Sequence, residues 1–208
     1  MMVLCSPHNP VGRVWKKEEL KAVADICLKH DVILVSDEIH GDIVYEGHKH
    51  YPIMSLDEKY AQKFIHLTAP GKTFNVAGLK ASLSIIPNEE MRNEFVKTQI
   101  AMSLDVKNTF GIESVIAAYT PEGAEWAKQE VAYMQQNVDF VEEYIKEKMP
   151  EVTMIRPEGT FLCWIDLSGL KLGDAEIFKR VTLDAAVICV PGTWFGPCLL
   201  YTSPSPRD

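Results

Sequence analysis

The sequence predicts an α/β fold, in which a mostly parallel sheet with helices on both faces is followed by a smaller α+β domain. Three observations predict it. Short runs rich in β-branched residues alternate with amphipathic helical stretches through the first third of the chain, which is typical of a parallel sheet. A helical stretch over 121–149 then runs without an internal proline after its first position. A pair of strand-like runs follows this stretch and indicates a region of different architecture.

The elements of the sheet are predicted from residue type and spacing. Between the first two strand candidates, Leu20, Ala24 and Leu28 recur at helical spacing after a charged first turn, which completes one βαβ unit. The predicted strands lie at 2–5, 32–36, 64–69 and 81–86. The predicted helices that cover them lie at 16–30, 88–104 and 110–119.

The part of the chain after residue 120 is predicted to contain a connecting helix and a second domain. Pro121 suits the first turn of that helix, and Pro150 ends it. The Tyr, Phe and Met side chains over 133–144 are expected to form its buried stripe. Two strands turning at Pro157-Glu158-Gly159, a helix and a last strand are then predicted at 152–156, 160–167, 173–184 and 186–190.

These elements predict the domain organisation of the chain. We expect part of a large domain over 1–120, the connecting helix over 121–149 and part of a small domain over 150–197. The first strand starts at residue 2, so we expect the N-terminal part of the protein to be absent. Residues 198–208 are rich in Ser and Pro, and one back-translation of them resembles a sequencing adapter, so we expect a non-native tail. A genuine disordered C-terminus is the alternative.

Composition and charge limit the classes of function. Apolar residues make up 47% and charged residues 24%, which is usual for a globular protein. The net charge of −8 argues against sequence-independent binding to nucleic acid or anionic lipid. No apolar run reaches the roughly 20 residues of a membrane span, and no secretory signal opens the chain, so we expect a cytoplasmic protein. The five scattered cysteines predict neither a disulfide framework nor a zinc site.

Three polar residues follow three of the predicted strands, each near the point where the strand ends. Asn9 follows the first strand, Asp37 the second and Lys72 the third. Parallel strands end at one edge of a sheet, and ligands of open α/β sheets bind outside that edge. We therefore expect an amide, an acid and an amine to meet in one site.

The three groups suit the chemistry of a pyridine aldehyde cofactor. A neutral lysine amine such as that of Lys72 forms a Schiff base with an aldehyde. A carboxylate such as that of Asp37, placed against the ring nitrogen, keeps the ring protonated and able to accept electrons from a carbanion. An amide N–H from Asn9, aimed at the ring 3-oxygen, favours the ionised form of that oxygen.

Three motifs in register resemble the signatures of fold-type I aminotransferases. They are Asn9-Pro10-Val11-Gly12, Ser36-Asp37-Glu38-Ile39-His40 and Ala69-Pro70-Gly71-Lys72-Thr73-Phe74-Asn75. The resemblance covers about residues 2–197 and implies the fold of enzymes that use pyridoxal 5′-phosphate (PLP). Residues 8–13 and 37–42 resemble the MalY/PatB branch of cystathionine β-lyases, because ordinary aminotransferases usually have tyrosine where this chain has His40.

The resemblance implies a role for each residue of the predicted site. Lys72 would carry PLP, Asp37 would pair with the pyridine nitrogen, and Asn9 would bind the 3-oxygen. His40 would lie beside the cofactor. Lys80 falls where relatives often place an arginine that binds the phosphate.

Two departures from the family pattern concern that phosphate. Lys80 offers a point charge where an arginine would offer a bidentate fork. Gly71 stands where many relatives carry a serine, whose hydroxyl is an expected phosphate contact. Thr68 or backbone N–H groups are the expected replacements.

The branch implies a carbon–sulfur β-lyase that acts on a sulfur-containing amino acid and releases pyruvate, ammonia and a thiol. An aminotransferase is the first alternative, because both reactions begin with loss of the same α-proton. A non-catalytic binding or regulatory protein on the same scaffold is the second. The resemblance also implies a homodimer. It places the ring-stacking aromatic, the glycine-rich phosphate loop and the arginine for the substrate carboxylate outside these residues.

The predicted site residues also have purely structural interpretations. Lys72 suits a solvated surface position, Asn9 suits a turn, and His40 suits a satisfied core position. Asp37 and Glu38 together suit the N-cap of a helix. That interpretation is preferred for Glu38, which is therefore not a predicted site residue.

The remaining histidines predict no metal site. His48 and His50 are expected in loops. A metal site that combines them with His40 is conceivable, but their spacing matches no established ligand pattern.

Overall fold

The computed structural model describes residues 1–196 of the chain. The predicted tail at 198–208 lies outside these described residues. Within 1–196, no helix is both long enough and apolar enough to cross a membrane.

The central element is a four-stranded sheet whose strands follow one another in chain order. Three strands are parallel, and the fourth runs antiparallel to the third. The strands are β1 (Met2–Cys5), β2 (Leu34–Asp37), β3 (Phe64–Thr68) and β4 (Leu83–Ile85). Each lies within two residues of its predicted bounds, so the mostly parallel sheet is present.

The helix α1 (Lys17–Lys29) makes the crossover from β1 to β2. It begins where the carboxylate of Glu19 accepts a hydrogen bond from the Lys16 N–H at 3.0 Å, which satisfies one N–H group of the first turn. The apolar residues of this helix recur at helical spacing and are turned towards the sheet.

The main core lies between α1 and one face of the sheet. Leu20 and Ala24 of α1 pack with Leu34 of β2 and Phe64 of β3, and all four side chains are buried. Tyr60 stacks on Phe64 with ring centroids 5.0 Å apart. Burial of this apolar surface is the main driving force for folding in this half of the chain.

Side-chain oxygens cap three of the next four α-helices in the described part of the chain. Asn88, Asn108 and Thr120 each accept a backbone N–H from the first turn of the helix that they precede. The helices are α2 (Pro70–Thr73), α3 (Glu89–Ala101), α4 (Thr109–Ala118) and α5 (Pro121–Lys148). The predicted long helix is therefore present, and it ends one residue early.

The expected buried stripe of α5 is wrong. Tyr133, Phe140 and Tyr144 are 65%, 67% and 50% exposed, whereas Val138 and Ile145 are buried. The two buried residues are seven positions apart and so share one line along the helix. The aromatic residues lie on other lines, and the described residues do not cover them.

The region after α5 is smaller and less regular. Its two strands, β5 (Thr153–Ile155) and β6 (Trp164–Asp166), pair antiparallel. The predicted helix near 173–184 is present as the α-helix α6 (Asp174–Phe178), continued by a π-helical stretch at Lys179–Asp184. Single 3₁₀ turns occur at Ile53–Leu56, Glu58–Tyr60, Ala77–Leu79, Ser168–Leu170 and Gly192–Trp194.

The strand predicted at 186–190 is not present. A strand must satisfy its backbone N–H and C=O groups on a neighbour, and within 1–196 β5 and β6 pair only with each other. Val187 and Ile188 remain 41% and 61% exposed. The division of the chain into domains over 1–120 and 150–197 stays a prediction.

Candidate active site

The carboxyl ends of the parallel strands lie side by side at one edge of the sheet. Cys5, Asp37 and Leu67 are aligned across β1, β2 and β3. Backbone bonds extend this pairing past the strands: the Ser6 N–H donates to Asp37 O at 3.0 Å, and the Glu38 N–H donates to Leu67 O at 2.9 Å. The segments that carry the predicted site residues therefore leave the sheet at the same place.

Lys72 lies in α2, the one-turn helix that begins two residues after β3. Pro70 suits the first position of this helix, because its missing N–H is not needed there. The side chain of Lys72 is half-buried. The hydroxyl of Thr73 donates a hydrogen bond to Asp42 Oδ2 at 3.1 Å, which ties α2 to the turn that follows β2.

His40 lies in that turn and is 1% exposed. Its ring lies edge to face on Phe161, with ring centroids 5.3 Å apart, and neither ring nitrogen has a hydrogen-bond partner among the described residues. Burial, followed by the positive charge of Lys72, lowers the pKa of His40 to about 4, and the charge of Asp37 acts in the opposite direction. The amine of Lys72 and the carboxylate of Asp37 are therefore both close enough to the His40 imidazole to change its pKa.

Asn9 lies in the turn after β1, and its side chain is exposed. Its backbone hydrogen bonds the thiol of Cys5. Burial raises the pKa of that thiol, the hydrogen bond from the Asn9 backbone lowers it, and the charge of Asp37 raises it. Nothing in the spacing of Cys5 distinguished it from the other cysteines in the sequence.

Lys80 has an exposed side chain in the turn after α2. It follows the 3₁₀ turn Ala77–Leu79 with a positive φ of 51°. Its predicted role as a phosphate ligand stays a prediction, as do the roles of the other site residues.

Gly71 is buried against the turn that follows α2. A Cβ atom at this position would lie 3.2 Å from the Cα of Ala77. A serine would need this turn to move outward. The close packing gives a physical reason for glycine at this position.

The tip of the β5–β6 hairpin lies against the turn after β1. The N–H groups of Glu158 and Gly159 both donate to Gly12 O, at 2.8 and 3.0 Å. The carboxylate of Glu158 accepts a hydrogen bond from the Val14 N–H at 2.8 Å. Gly12 has a φ of +78°, and a Cβ there would lie 2.5 Å from the Cβ of Pro157, so only glycine allows this approach.

The same hairpin also contacts the turn after β2. The Tyr45 N–H donates to Glu158 O at 3.0 Å, and the Thr160 N–H donates to Ile43 O at 2.9 Å. The hydroxyl of Tyr45 donates to Thr160 O at 2.6 Å. These contacts place Phe161 against the ring of His40. The β5–β6 hairpin, which is distant from His40 in sequence, therefore supplies one wall of the site. The sequence predicted the turn at 157–159 but not where it docks.

The sequence pattern of the family described as aminotransferase class I and II matches residues 1–203. The chain belongs to this family. Two curated proteins are similar over nearly all of this aminotransferase-family chain. Cystathionine β-lyase PatB of Bacillus subtilis is 39% identical over 95% of the chain, and protein MalY of Escherichia coli is 31% identical over 94%. The predicted resemblance to the MalY/PatB branch is confirmed.

The chain is also similar to a solved structure. Cystalysin from Treponema denticola, whose crystal structure contains pyridoxal 5′-phosphate, superimposes with a TM-score of 0.91 at 38% identity over 96% of this chain. The predicted fold class is therefore confirmed. The chain spans about half the length of these proteins: 51% of PatB, 50% of MalY and 50% of cystalysin.

Glu38 of this family member is not a helix N-cap, which corrects the preferred interpretation. No helix begins after β2, because the Gly41 N–H donates to Glu38 O at 2.8 Å and closes a turn. The side chain of Glu38 is 1% exposed and points away from Asp37, since successive residues of a strand face opposite sides.

Both carboxylate oxygens of Glu38 have polar partners. Oε1 accepts from the Ser36 hydroxyl at 2.7 Å and from the Ile53 N–H at 3.1 Å, and it lies 3.2 Å from His66 Nδ1. Oε2 lies 2.7 Å from His50 Nε2. Burial alone would raise the pKa of Glu38, but the hydrogen bonds from His50, His66 and Ser36 outweigh it and lower the pKa to about 2. The carboxylate is therefore charged at neutral pH.

A cavity of about 530 Å³ opens beside the Lys72 helix. The residues that line it include Asp42, Phe74, Tyr119 and Lys128 of α5. Phe74 stacks on Trp126 of α5 with centroids 5.5 Å apart. The ring stack and the Thr73–Asp42 bond hold α2 from two directions.

Metal binding finds no support in the described part of the chain. No group of three or more His, Cys, Asp or Glu side chains within 1–196 is arranged to hold a metal ion. His48 lies 3.8 Å from a carboxylate oxygen of Glu158, and His50 pairs with Glu38. Both histidines are in loops, as predicted, but each has a structural partner.

Proposed function

We propose that the protein that carries this chain is a PLP-dependent carbon–sulfur β-lyase. The observation that carries the proposal is the meeting of Asp37, His40 and Lys72 at the carboxyl edge of the sheet, in a chain that matches part of cystathionine β-lyase PatB over 95% of its own length. Since the chain spans about half of that relative, the activity of the whole protein is inferred and not observed.

The residues at the edge fit PLP. His40 carries two buried ring nitrogens that lack partners among the described residues, which is unusual unless a bound group supplies one. Lys72 supplies an amine at the mouth of the site, and Asp37 supplies a carboxylate at the end of β2. Asn9 reaches the same edge through its turn. In this arrangement Lys72 would hold the aldehyde carbon, Asp37 the ring nitrogen and Asn9 the 3-oxygen.

Lys80, whose side chain is exposed, is the proposed phosphate ligand of this chain. Thr68, whose hydroxyl hydrogen bonds Tyr119, lies nearer the edge at the end of β3. We propose that these two residues, with backbone N–H groups, face the phosphate.

PLP, when bound, supplies a ring that accepts the negative charge developed at the α-carbon of the substrate. Once the amine of the substrate has displaced Lys72 from the aldehyde carbon, the freed amine of Lys72 would take the proton from the α-carbon of the substrate. The bond between the β-carbon and sulfur then breaks with both electrons on sulfur, and the thiolate takes up a proton. Water finally replaces the amino group of the three-carbon remainder, which leaves as pyruvate and ammonia.

The proposed substrate is a sulfur-containing amino acid, and the proposed partner is a second copy of the chain. His40 supports an elimination site, because an imidazole kept neutral by burial and by Lys72 can accept or donate a hydrogen bond without adding charge beside the amine. We propose no contact with nucleic acid or membrane.

The test is pyruvate release from cystathionine and from cysteine by the complete protein with PLP. We expect pyruvate, ammonia and the sulfur product in equal amounts, the sulfur product being a thiol from cystathionine and hydrogen sulfide from cysteine. Transfer of the amino group to a 2-oxo acid without pyruvate would replace the lyase by an aminotransferase. Absence of a visible absorption band after PLP is added would instead favour a binding or regulatory protein.

A further inference from the structure

We propose that Glu38 is a positioning residue of this site. Together with His50 and His66 it forms a buried clamp, which we call the Glu38 clamp, and this clamp fixes the turn that presents Asp37 and His40 to Lys72. The inference rests on the proposed function, because it concerns the same edge of the sheet. It assigns a role to three residues that the reaction itself does not use.

The clamp joins segments that are distant in sequence. Ser36 belongs to β2, His66 to β3, and His50 and Ile53 to the loop that leads to β3. Each holds the same carboxylate, which follows Asp37 directly. A shift of any one segment therefore changes the geometry at the end of β2, where Asp37 lies.

The clamp also touches the turn of His40 directly. A Cβ atom on Gly41 would lie 2.9 Å from His50 Cδ2 and 3.0 Å from His50 Nε2, so the imidazole lies against the backbone between His40 and Asp42. Asp42 in turn accepts the hydrogen bond from Thr73, the neighbour of Lys72. One continuous set of contacts thus runs from Glu38 to the Lys72 helix.

The charge of the clamp argues for positioning over simple packing. A buried carboxylate is costly to remove from water, and well-packed apolar residues of similar volume often replace a buried ion pair without loss of stability. Four directed contacts to one carboxylate instead fix the angle at which each segment leaves the sheet. Fixed angles are what a site for a rigid ring requires.

The readout is the titration of the His40 imidazole, followed by ¹⁵N-histidine NMR on the complete protein without cofactor. The wild-type ring stays neutral well below pH 6, since it is buried next to Lys72. In Glu38→Gln the amide cannot accept from His50 and His66 at once, so the turn loosens and water reaches His40. We expect its midpoint to rise by about one pH unit or more towards the value of a solvated histidine.

The His50 variants separate positioning from packing. His50→Ala removes one contact to the carboxylate and should move the His40 midpoint in the same direction, whereas His50→Gln keeps an N–H donor and should restore it. Glu147→Gln, at a side chain that is 71% exposed, and His30→Gln, at the exposed end of α1, are the matched controls with no expected shift.

An unchanged His40 midpoint in Glu38→Gln and His50→Ala, with only a lower unfolding temperature, would reduce the clamp to ordinary packing and overturn the proposal. If Glu38→Gln does not fold, His50→Ala decides the matter, because it keeps the contacts from Ser36, Ile53 and His66. The measurement needs no PLP, so its failure is distinct from a failure to release pyruvate.

Discussion

The two faces of the sheet differ sharply. On one face, Leu4, Leu34 and Phe64 are 7%, 0% and 0% exposed and pack under α1. On the other, Val3 is 62% exposed, and Cys5 and Asp37 are half-buried. The first face holds the fold together, and the second face, with its edge, holds the groups capable of chemistry. Substitutions on the two faces should therefore affect different properties.

The largest expected effect is that of Lys72→Ala. Without the amine, borohydride should no longer fix PLP to the peptide that contains residue 72, and turnover should fall on the order of 10⁴-fold. Mass spectrometry of the digested protein checks the first outcome. Lys97→Ala, at an α3 side chain that is 71% exposed and pairs with Glu94, is the control and should keep the label.

Covalent label on another lysine, or unchanged turnover in Lys72→Ala, would remove the proposed site from this edge. The two faces would then no longer differ in chemistry.

A smaller effect is expected on the packed face. Leu34→Ala deletes a fully buried side chain between α1 and β3 and should lower the free energy of unfolding by about 3 kcal/mol. Val3→Ala on the open face should change it by less than about 0.5 kcal/mol. Urea unfolding of this chain measures both values. Equal losses would mean that the open face is covered as tightly as the packed one.

The smallest expected effect concerns the hairpin that closes the site. Gly12 and Gly47 both have positive φ, of 78° and 87°, but a Cβ on Gly47 meets nothing within 4 Å. Gly47→Ala therefore measures the backbone cost alone, roughly 1 kcal/mol. Gly12→Ala adds the clash with Pro157, and its destabilisation should be larger by about 1 kcal/mol.

Thermal unfolding of the two glycine variants side by side checks this difference. Equal destabilisation would show that the β5–β6 hairpin does not hold its place against the turn after β1.

The elements of the sheet could be predicted because they depend on local patterns. The β-branched runs of β1, β2 and β3 and the helical spacing of α1 are properties of short stretches. The meeting of Asp37 and Lys72 at one edge followed from the rule that parallel strands end together. The helix capped by Thr120 also lay within one residue of its predicted bounds.

The clamp could not be predicted, because its contacts join residues that no local pattern connects. His50 and His66 are 12 and 28 positions from Glu38. In the sequence, an acid after a strand suggested a cap. The strand at 186–190 was predicted from its β-branched residues alone, and it failed because the described chain offers no partner. The exposed aromatic residues of α5 were mispredicted for a similar reason. Their spacing shows which side chains share a face of the helix, but it does not show whether another part of the protein covers that face.

The contact between Val14 and Glu158 spans 144 residues, and that between Tyr45 and Thr160 spans 115. Pairings across such distances carry the highest loop-closure entropy, so they form after the local elements. A chain leaving the ribosome would thus complete its sheet early and keep the edge with Asp37 and His40 open until the β5–β6 hairpin is synthesised. The proposed site is then assembled last, when nearly all of the described chain has already folded.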